Sequence, residues 1–147
     1  MLFRSSVNAR ASGPADPLEP IEAWFSRKGW TPMAFQRHCW RAYLEGRSGL
    51  LQVPTGSGKT YAAVMGPIAE LLGDEPDGGI ALLILTPLRA LSRDLALAIR
   101  EPIEAMGWPL RVGLRNGDTP SSERNRQLKA PPQIRSEEHT SELQSPC

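Results

Sequence analysis

Residues Val53–Thr60, VPTGSGKT, follow a short apolar run, GLLQV (49–53), and precede a stretch with helical periodicity. The order strand, glycine-rich turn, helix decides the reading of the chain. Gly56 and Gly58 permit backbone conformations and a close approach that side chains would block. Successive N–H groups can then point inward around an anion, and the helix starting near Lys59 adds the positive end of its dipole. In such a loop Lys59 reaches the β- and γ-phosphates of a nucleotide, and the Thr60 hydroxyl sits on Mg2+. The expected nucleotide contacts are Thr55, Gly56, Ser57, Gly58, Lys59 and Thr60, with Thr60 the metal contact and Lys59 and Thr60 the catalytic pair. The usual pattern opens on glycine; Val53 stands in that position here.

Working outward, the chain alternates. Upstream, Ile21, Trp24 and Phe25 predict a helix over 18–28, and Gly29 ends it. Thr31 is the expected cap and Pro32 the first-turn residue of a second helix running to about Glu45, with Phe35, Cys39, Ala42 and Tyr43 on its apolar face. Downstream of the loop, Val64, Met65, Ile68, Leu71 and Leu72 form a stripe over 59–72, interrupted by Pro67. IALLIL (80–85) reads as a buried strand, and 88–106 as a longer helix with Leu88, Leu91, Leu95, Ile99 and Ile103 on one side. LRVGL (110–114) reads as a further strand, NGD (116–118) as a turn and SSERNRQLK (121–129) as a short helix. Apolar strands alternating with helices predict an α/β fold, a parallel sheet with helices on both faces. Residues 1–17, rich in Ser, Ala, Gly and Pro, read as a disordered tail.

The totals fit this reading. The 147 residues suffice for one domain, with 40% hydrophobic and 22% charged residues. The longest apolar run is far too short to span a bilayer, so no membrane role is expected. Net charge is +1; with the one Arg and three Glu of residues 135–147 set aside, 17 basic and 16 acidic residues become 16 and 13, or +3. That is mildly basic and does not by itself establish a nucleic-acid partner. Cys39 and Cys147 suggest neither a disulfide framework nor a metal cluster, which reads as an intracellular setting.

Three further stretches narrow the class. GWTPMAFQ (29–36) places Gln36 23 residues before Lys59. A glutamine amide can donate to adenine N7 and accept from its N6 amino group together, which suits adenine over guanine. TPLRALSRDLA (86–96) follows the second strand, and RNGDTPSSER (115–124) follows the third. In order and spacing these resemble the Q motif, phosphate loop, motif Ia and motif Ib region of superfamily 2 helicases. The pair TPLRAL…GDTPSSER is most similar to the large helicase-related group, in particular its ligase-associated DEXH-box type. The resemblance covers roughly residues 18–134. It implies the first part of a RecA-like, ATP-binding helicase domain with Gln36 on the adenine. It implies ATP and Mg2+ as cofactors, and nucleic-acid phosphate held at Thr86, Pro87, Arg89, Arg115, Gly117 and Asp118. The implied partner is DNA, as a single strand or a duplex end, or a DNA–RNA hybrid, in bacterial cytoplasmic DNA repair linked to a ligase and a nuclease. Two other classes carry a phosphate loop as well: a nucleotide-binding module without motor activity, and a small-molecule kinase.

The family's D-E-x-H segment does not occur in the sequence. SEEH (136–139) lacks the aspartate, and no apolar strand is expected before it. Back-translated in one frame, RSEEHTSELQS (135–145) matches a widely used sequencing-library adapter. Residues 135–147 are therefore expected to be unstructured and without function, and the chain to be a truncated N-terminal piece with little hydrolysis of its own.

Overall fold

The computed structural model describes residues 15–56, 58–74 and 78–138. Its elements in chain order are α1 (Glu19–Arg27), α2 (Ala34–Leu44), α3 (Lys59–Gly73), β1 (Leu82–Thr86), α4 (Arg89–Met106), β2 (Val112–Arg115), α5 (Ser121–Lys129) and β3 (Ile134–Glu138). The expected α/β alternation is present. β1 and β2 both pair in parallel with β3, giving the order β1-β3-β2. Among the described residues, no helix is long and apolar enough to cross a membrane.

β3 corrects the expectation of an unstructured ending from Arg135, at least as far as Glu138. Residues Leu82, Ile134 and Val112 share one register row, and Ile84, Ser136 and Leu114 another. Alternate residues of a strand share a face, so these two rows lie on the same side. That side meets α4: Ile134 and Ser136 are fully buried, and Ser136 Oγ donates to the Ser92 carbonyl at 2.9 Å. On the opposite side Arg135 and Glu137 form an ion pair within the strand. A segment with one apolar residue becomes a strand because both neighbours present ladders to it. Residues 139–147 lie outside the described set, as do residues 1–14.

The second correction concerns GLLQV (49–53), which forms no strand; Leu50 is 91% exposed. An apolar run becomes a strand only where a neighbouring strand pairs with it, and none of the three does so here. The outer edge of β2 is closed by side chains. Arg100 Nη2 donates to the Val112 carbonyl at 3.0 Å and Gln127 Nε2 to the Leu114 carbonyl at 3.1 Å. Satisfying these carbonyls removes a template for strand addition. α5 reaches the other face of the sheet at Gly113, where a Cβ would meet Gln127 and Pro132. Leu83 and Leu85 on that same face stay about half exposed.

The core joins α1, α2, α3, α4 and the sheet through Ile21, Trp24, Phe25, Trp40, Met65, Ile68, Ile99 and Ile134. The α1 stripe of Ile21, Trp24 and Phe25 is buried as expected. Two stripes are displaced. In α2 the fully buried positions are Gln36 and Trp40, Cys39 packs partly against the core, and Tyr43, partly exposed, lies against α3 beside Gly66. In α4 they are Ser92, Ala96, Ile99, Pro102 and Ile103, while Leu88 and Leu91 are exposed. Small residues at 92 and 96 let the helix approach the sheet closely. Pro67 lies inside a continuous α3. The N-terminal segment is tied down further upstream than expected: Asp16 pairs with Arg41 at 2.6 Å and accepts the Leu18 N–H at 3.0 Å.

Candidate functional site

Two corners carry the residues singled out above. The first lies where the loop enters α3. Gly58 is the N-cap residue in left-handed conformation (φ 78°), and Gly56 is left-handed too (φ 80°). L-residues with side chains rarely adopt such angles. No side chain caps the helix, so its first-turn N–H groups are donors in need of an acceptor. Thr55, Gly56 and Lys59 are exposed, Thr60 is half-buried, and a Cβ at Gly56 would meet nothing within 4 Å. Ser57 lies outside the described residues. Paired left-handed glycines, an open approach, an uncapped helix start and an exposed lysine fit a polyphosphate.

Gln36 sits directly beneath this turn. It is 3% exposed. Its Nε2 donates to the Gly58 carbonyl at 3.1 Å, and its Oε1 accepts the Met33 N–H at 2.9 Å. A Cβ on Gly58 would stand 2.5 Å from Gln36 Nε2. The helix therefore begins at Ala34 with Met33 as N-cap, and Thr31 does not cap it. The long amide at the third helical position reaches back to the cap N–H in its place. One Nε2 hydrogen and one Oε1 lone pair are left over from these two bonds. Trp40 Nε1 donates to the Tyr61 carbonyl at 2.8 Å, joining α2 to the first turn of α3. Tyr61 Oη donates to the Ala98 carbonyl at 3.0 Å, and burial pushes its phenol up to about 12. The loop is thus held from below by α2 and at its helical end by α4.

The second corner lies where the parallel strands end side by side, the usual ligand edge of such sheets. Arg89, at the start of α4, pairs with Asp118 at 3.0 Å and with Glu138 at 3.1 Å. Arg93 lies 3.8 Å from Asp118. Gly117 is where the guanidinium crosses the loop; a Cβ there would come within 2.6 Å of Arg89 Cζ. The Gly117 N–H donates to Glu138 Oε2 at 3.3 Å. The loop is stiffened by Asn116, whose Oδ1 accepts the Asp118 N–H at 2.9 Å. Arg124 donates to the Asn116 carbonyl at 2.8 Å and the Thr119 carbonyl at 3.1 Å.

Of the expected nucleic-acid residues, the structure brings Arg89, Gly117 and Asp118 into direct contact, with Arg115 entering the same loop. Pro87 is exposed. Thr86 points inward: it is 4% exposed, with its Oγ1 near the Leu88 and Glu137 carbonyls at 3.1 and 3.3 Å. Its hydroxyl holds the turn. Sequence reasoning missed Asn116, Arg124 and Glu138. The Asn-Gly-Asp turn was the signal for the first. The other two are long-range partners with no local mark. Among the described residues, no group of three or more His, Cys, Asp or Glu could hold a metal ion. A metal at the first corner would rest on Thr60 and on the nucleotide's own phosphates.

Comparison with known proteins gives the family of the chain. The family profile of DEAD/DEAH box helicases matches residues 33–139. The Lhr helicase of Mycolicibacterium smegmatis is 36% identical over 136 residues, covering 82% of this chain and 9% of that protein. The ATP-dependent helicase Lhr-Core of Methanocaldococcus jannaschii is 36% identical over 130 residues, covering 79% and 16%. The solved structure of Mycobacterium smegmatis helicase Lhr bound to ssDNA and AMP-PNP superposes with a TM-score of 0.69 at 34% identity, over 84% of this chain and 18% of that one. The DUF1998 helicase MrfA bound to DNA and AMPPNP gives 0.72 at 25% identity, over 87% and 18%. The chain thus spans less than a fifth of the length of these relatives.

Proposed function

The chain belongs to the DEAD/DEAH box helicase family, and from that premise we propose that its first corner binds ATP and its second contacts single-stranded DNA within a helicase motor. The observation that carries the nucleotide half is the pair of left-handed glycines closing over the Gln36 amide immediately before Lys59 and Thr60. Relatives of this chain are described with DNA and AMP-PNP bound.

In this reading the backbone N–H groups of the loop and the first turn of α3 hold the phosphates. Lys59 offsets their charge, and the Thr60 hydroxyl faces the metal. The remaining donor and acceptor of Gln36 meet the adenine edge, so base identity is read by the same side chain that supports Gly58. ATP supplies the free energy of phosphoryl transfer that a motor converts into movement along DNA. Hydrolysis needs a carboxylate for the metal, a group orienting water and an arginine for the transition state. Glu138 does not offer the first: its carboxylate lies on Arg89 and Gly117. The chain is therefore expected to bind ATP and turn it over weakly or not at all.

The ligase-associated subtype, with its link to a ligase, a nuclease and bacterial DNA repair, or to DNA–RNA hybrids, rests on the TPLRAL…GDTPSSER resemblance. Lhr helicases stand among the relatives of the chain, and none of these likenesses selects that subtype.

The test is a pair of titrations. Lys59→Ala should weaken binding of a non-hydrolysable ATP analogue by about 10- to 100-fold, the loss of charge-assisted phosphate contacts. Arg89→Ala should weaken salt-sensitive single-stranded DNA binding and leave the analogue unaffected. A kinase or a non-motor module would show no Arg89 effect.

A further inference from the structure

We propose that Glu138, although it lies in the stretch that matches the adapter, acts in this chain as an anion that competes with nucleic-acid phosphate for the corner made by Arg89 and Gly117, and so lowers the affinity of the chain for single-stranded DNA. This rests on the reading of the second corner as a DNA contact.

The geometry is that of an occupied anion site. Arg89 Nε at 3.1 Å and the Gly117 N–H at 3.3 Å converge on one oxygen, Glu138 Oε2. A guanidinium beside a loop N–H is a donor set that suits a phosphodiester oxygen. The Glu138 side chain is 10% exposed, whereas Arg89 is 52% and Asp118 57% exposed. The carboxylate is therefore seated in the corner, with the guanidinium above it and the side-chain-free Gly117 alongside.

Charge points the same way. Asp118 takes the other face of Arg89 and also approaches Arg93. The exposed pair with Asp118 is weak and screened by salt. The Glu138 contact is less exposed, and it adds a backbone N–H. A phosphate can use Arg89 and Gly117 together only when Glu138 leaves. The rival carboxylate is tethered by β3 at a fixed position, so it acts as an intramolecular ligand at high effective concentration. A guanidinium already neutralised also releases fewer counterions from DNA, which flattens the salt dependence.

The experiment is fluorescence anisotropy of the full chain with a labelled oligothymidylate across a salt series. The proteins are the unmodified chain, Glu138→Gln, Glu138→Ser, Arg89→Ala and Arg89→Ala combined with Glu138→Gln. Thermal melting checks that each is folded. Neutralising Glu138 should tighten binding by roughly 3- to 10-fold, the scale of one net hydrogen bond. It should steepen the log–log salt slope by about 0.7, the value for one more phosphate of a single strand. The gain should vanish in the double variant. Unchanged or weaker binding by both neutral variants overturns the proposal. If Arg89→Ala still weakens the unmodified chain in that case, the DNA reading stands and only the competition falls. If no variant alters binding, both fall.

Discussion

The two corners solve a similar problem from opposite starting points. Each places a glycine where another side chain must pass close by: Gln36 under Gly58, and Arg89 over Gly117. At the corner before α3 the close neighbour is a neutral amide, already bonded on both ends, and the charged group, Lys59, is exposed. The helix start there carries no side-chain cap. At the sheet corner the close neighbour is itself the cation, and two carboxylates of the chain take it. The contrast shows that a motif can supply the right residues while the partners around them decide whether they are available.

Gly58→Ala should be the most damaging way to test this contrast. The residue has φ 78°, and a Cβ would stand 2.5 Å from Gln36 Nε2. The backbone strain alone is about 1–3 kcal/mol. Both the melting temperature and the analogue affinity should fall, with DNA binding tracking only the loss of folded protein. Gly117→Ala should act more gently, since the atom it meets is the end of a flexible arginine. Arg89 can swing away, so thermal stability should change by less than about 0.5 kcal/mol. A shift in DNA affinity without any shift in analogue affinity would support separate corners, and a loss of both would merge them.

The smallest effect is expected at the edge of the domain. The Arg41 guanidinium, followed by the Leu18 N–H, holds the Asp16 carboxyl below its ordinary value of 3.8. A depressed carboxylate contributes stability above its unfolded pKa and loses it as pH falls through the folded one. Asp16→Asn should therefore destabilise at neutral pH and converge with the unmodified chain in acid. The side chain is 47% exposed, so the difference stays under about 1 kcal/mol. Urea unfolding at neutral and acid pH reads both limbs.

What was legible in the sequence was local. The VPTGSGKT loop and the NGD turn declare themselves through glycine and Asx chemistry, which acts within a few residues. Five helices were foreseen nearly to their ends for the same reason. The misses are all questions of partnership. The α2 face was misjudged because its inner row runs through Gln36, a buried polar residue that breaks the apolar pattern while bracing the loop. The α4 face was read rightly at Ile99 and Ile103 and misjudged nearer its start, where contact with β3 selects Ser92 and Ala96 over the larger Leu88 and Leu91. GLLQV had the composition of a strand and no partner, and IRSEE had partners on both sides with little strand composition. The inward turn of Thr86 follows from two carbonyls that no spacing rule could have placed.

The most direct measurement is calorimetric titration of the unmodified chain and of Gln36→Ala with ATP and with GTP analogues. The account predicts that the unmodified chain prefers adenine. Gln36→Ala should lose that preference and also lose stability, because the Met33 N–H and the Gly58 carbonyl give up their side-chain partner, a penalty of about 1–3 kcal/mol. Equal binding of the two bases by the unmodified chain would contradict it.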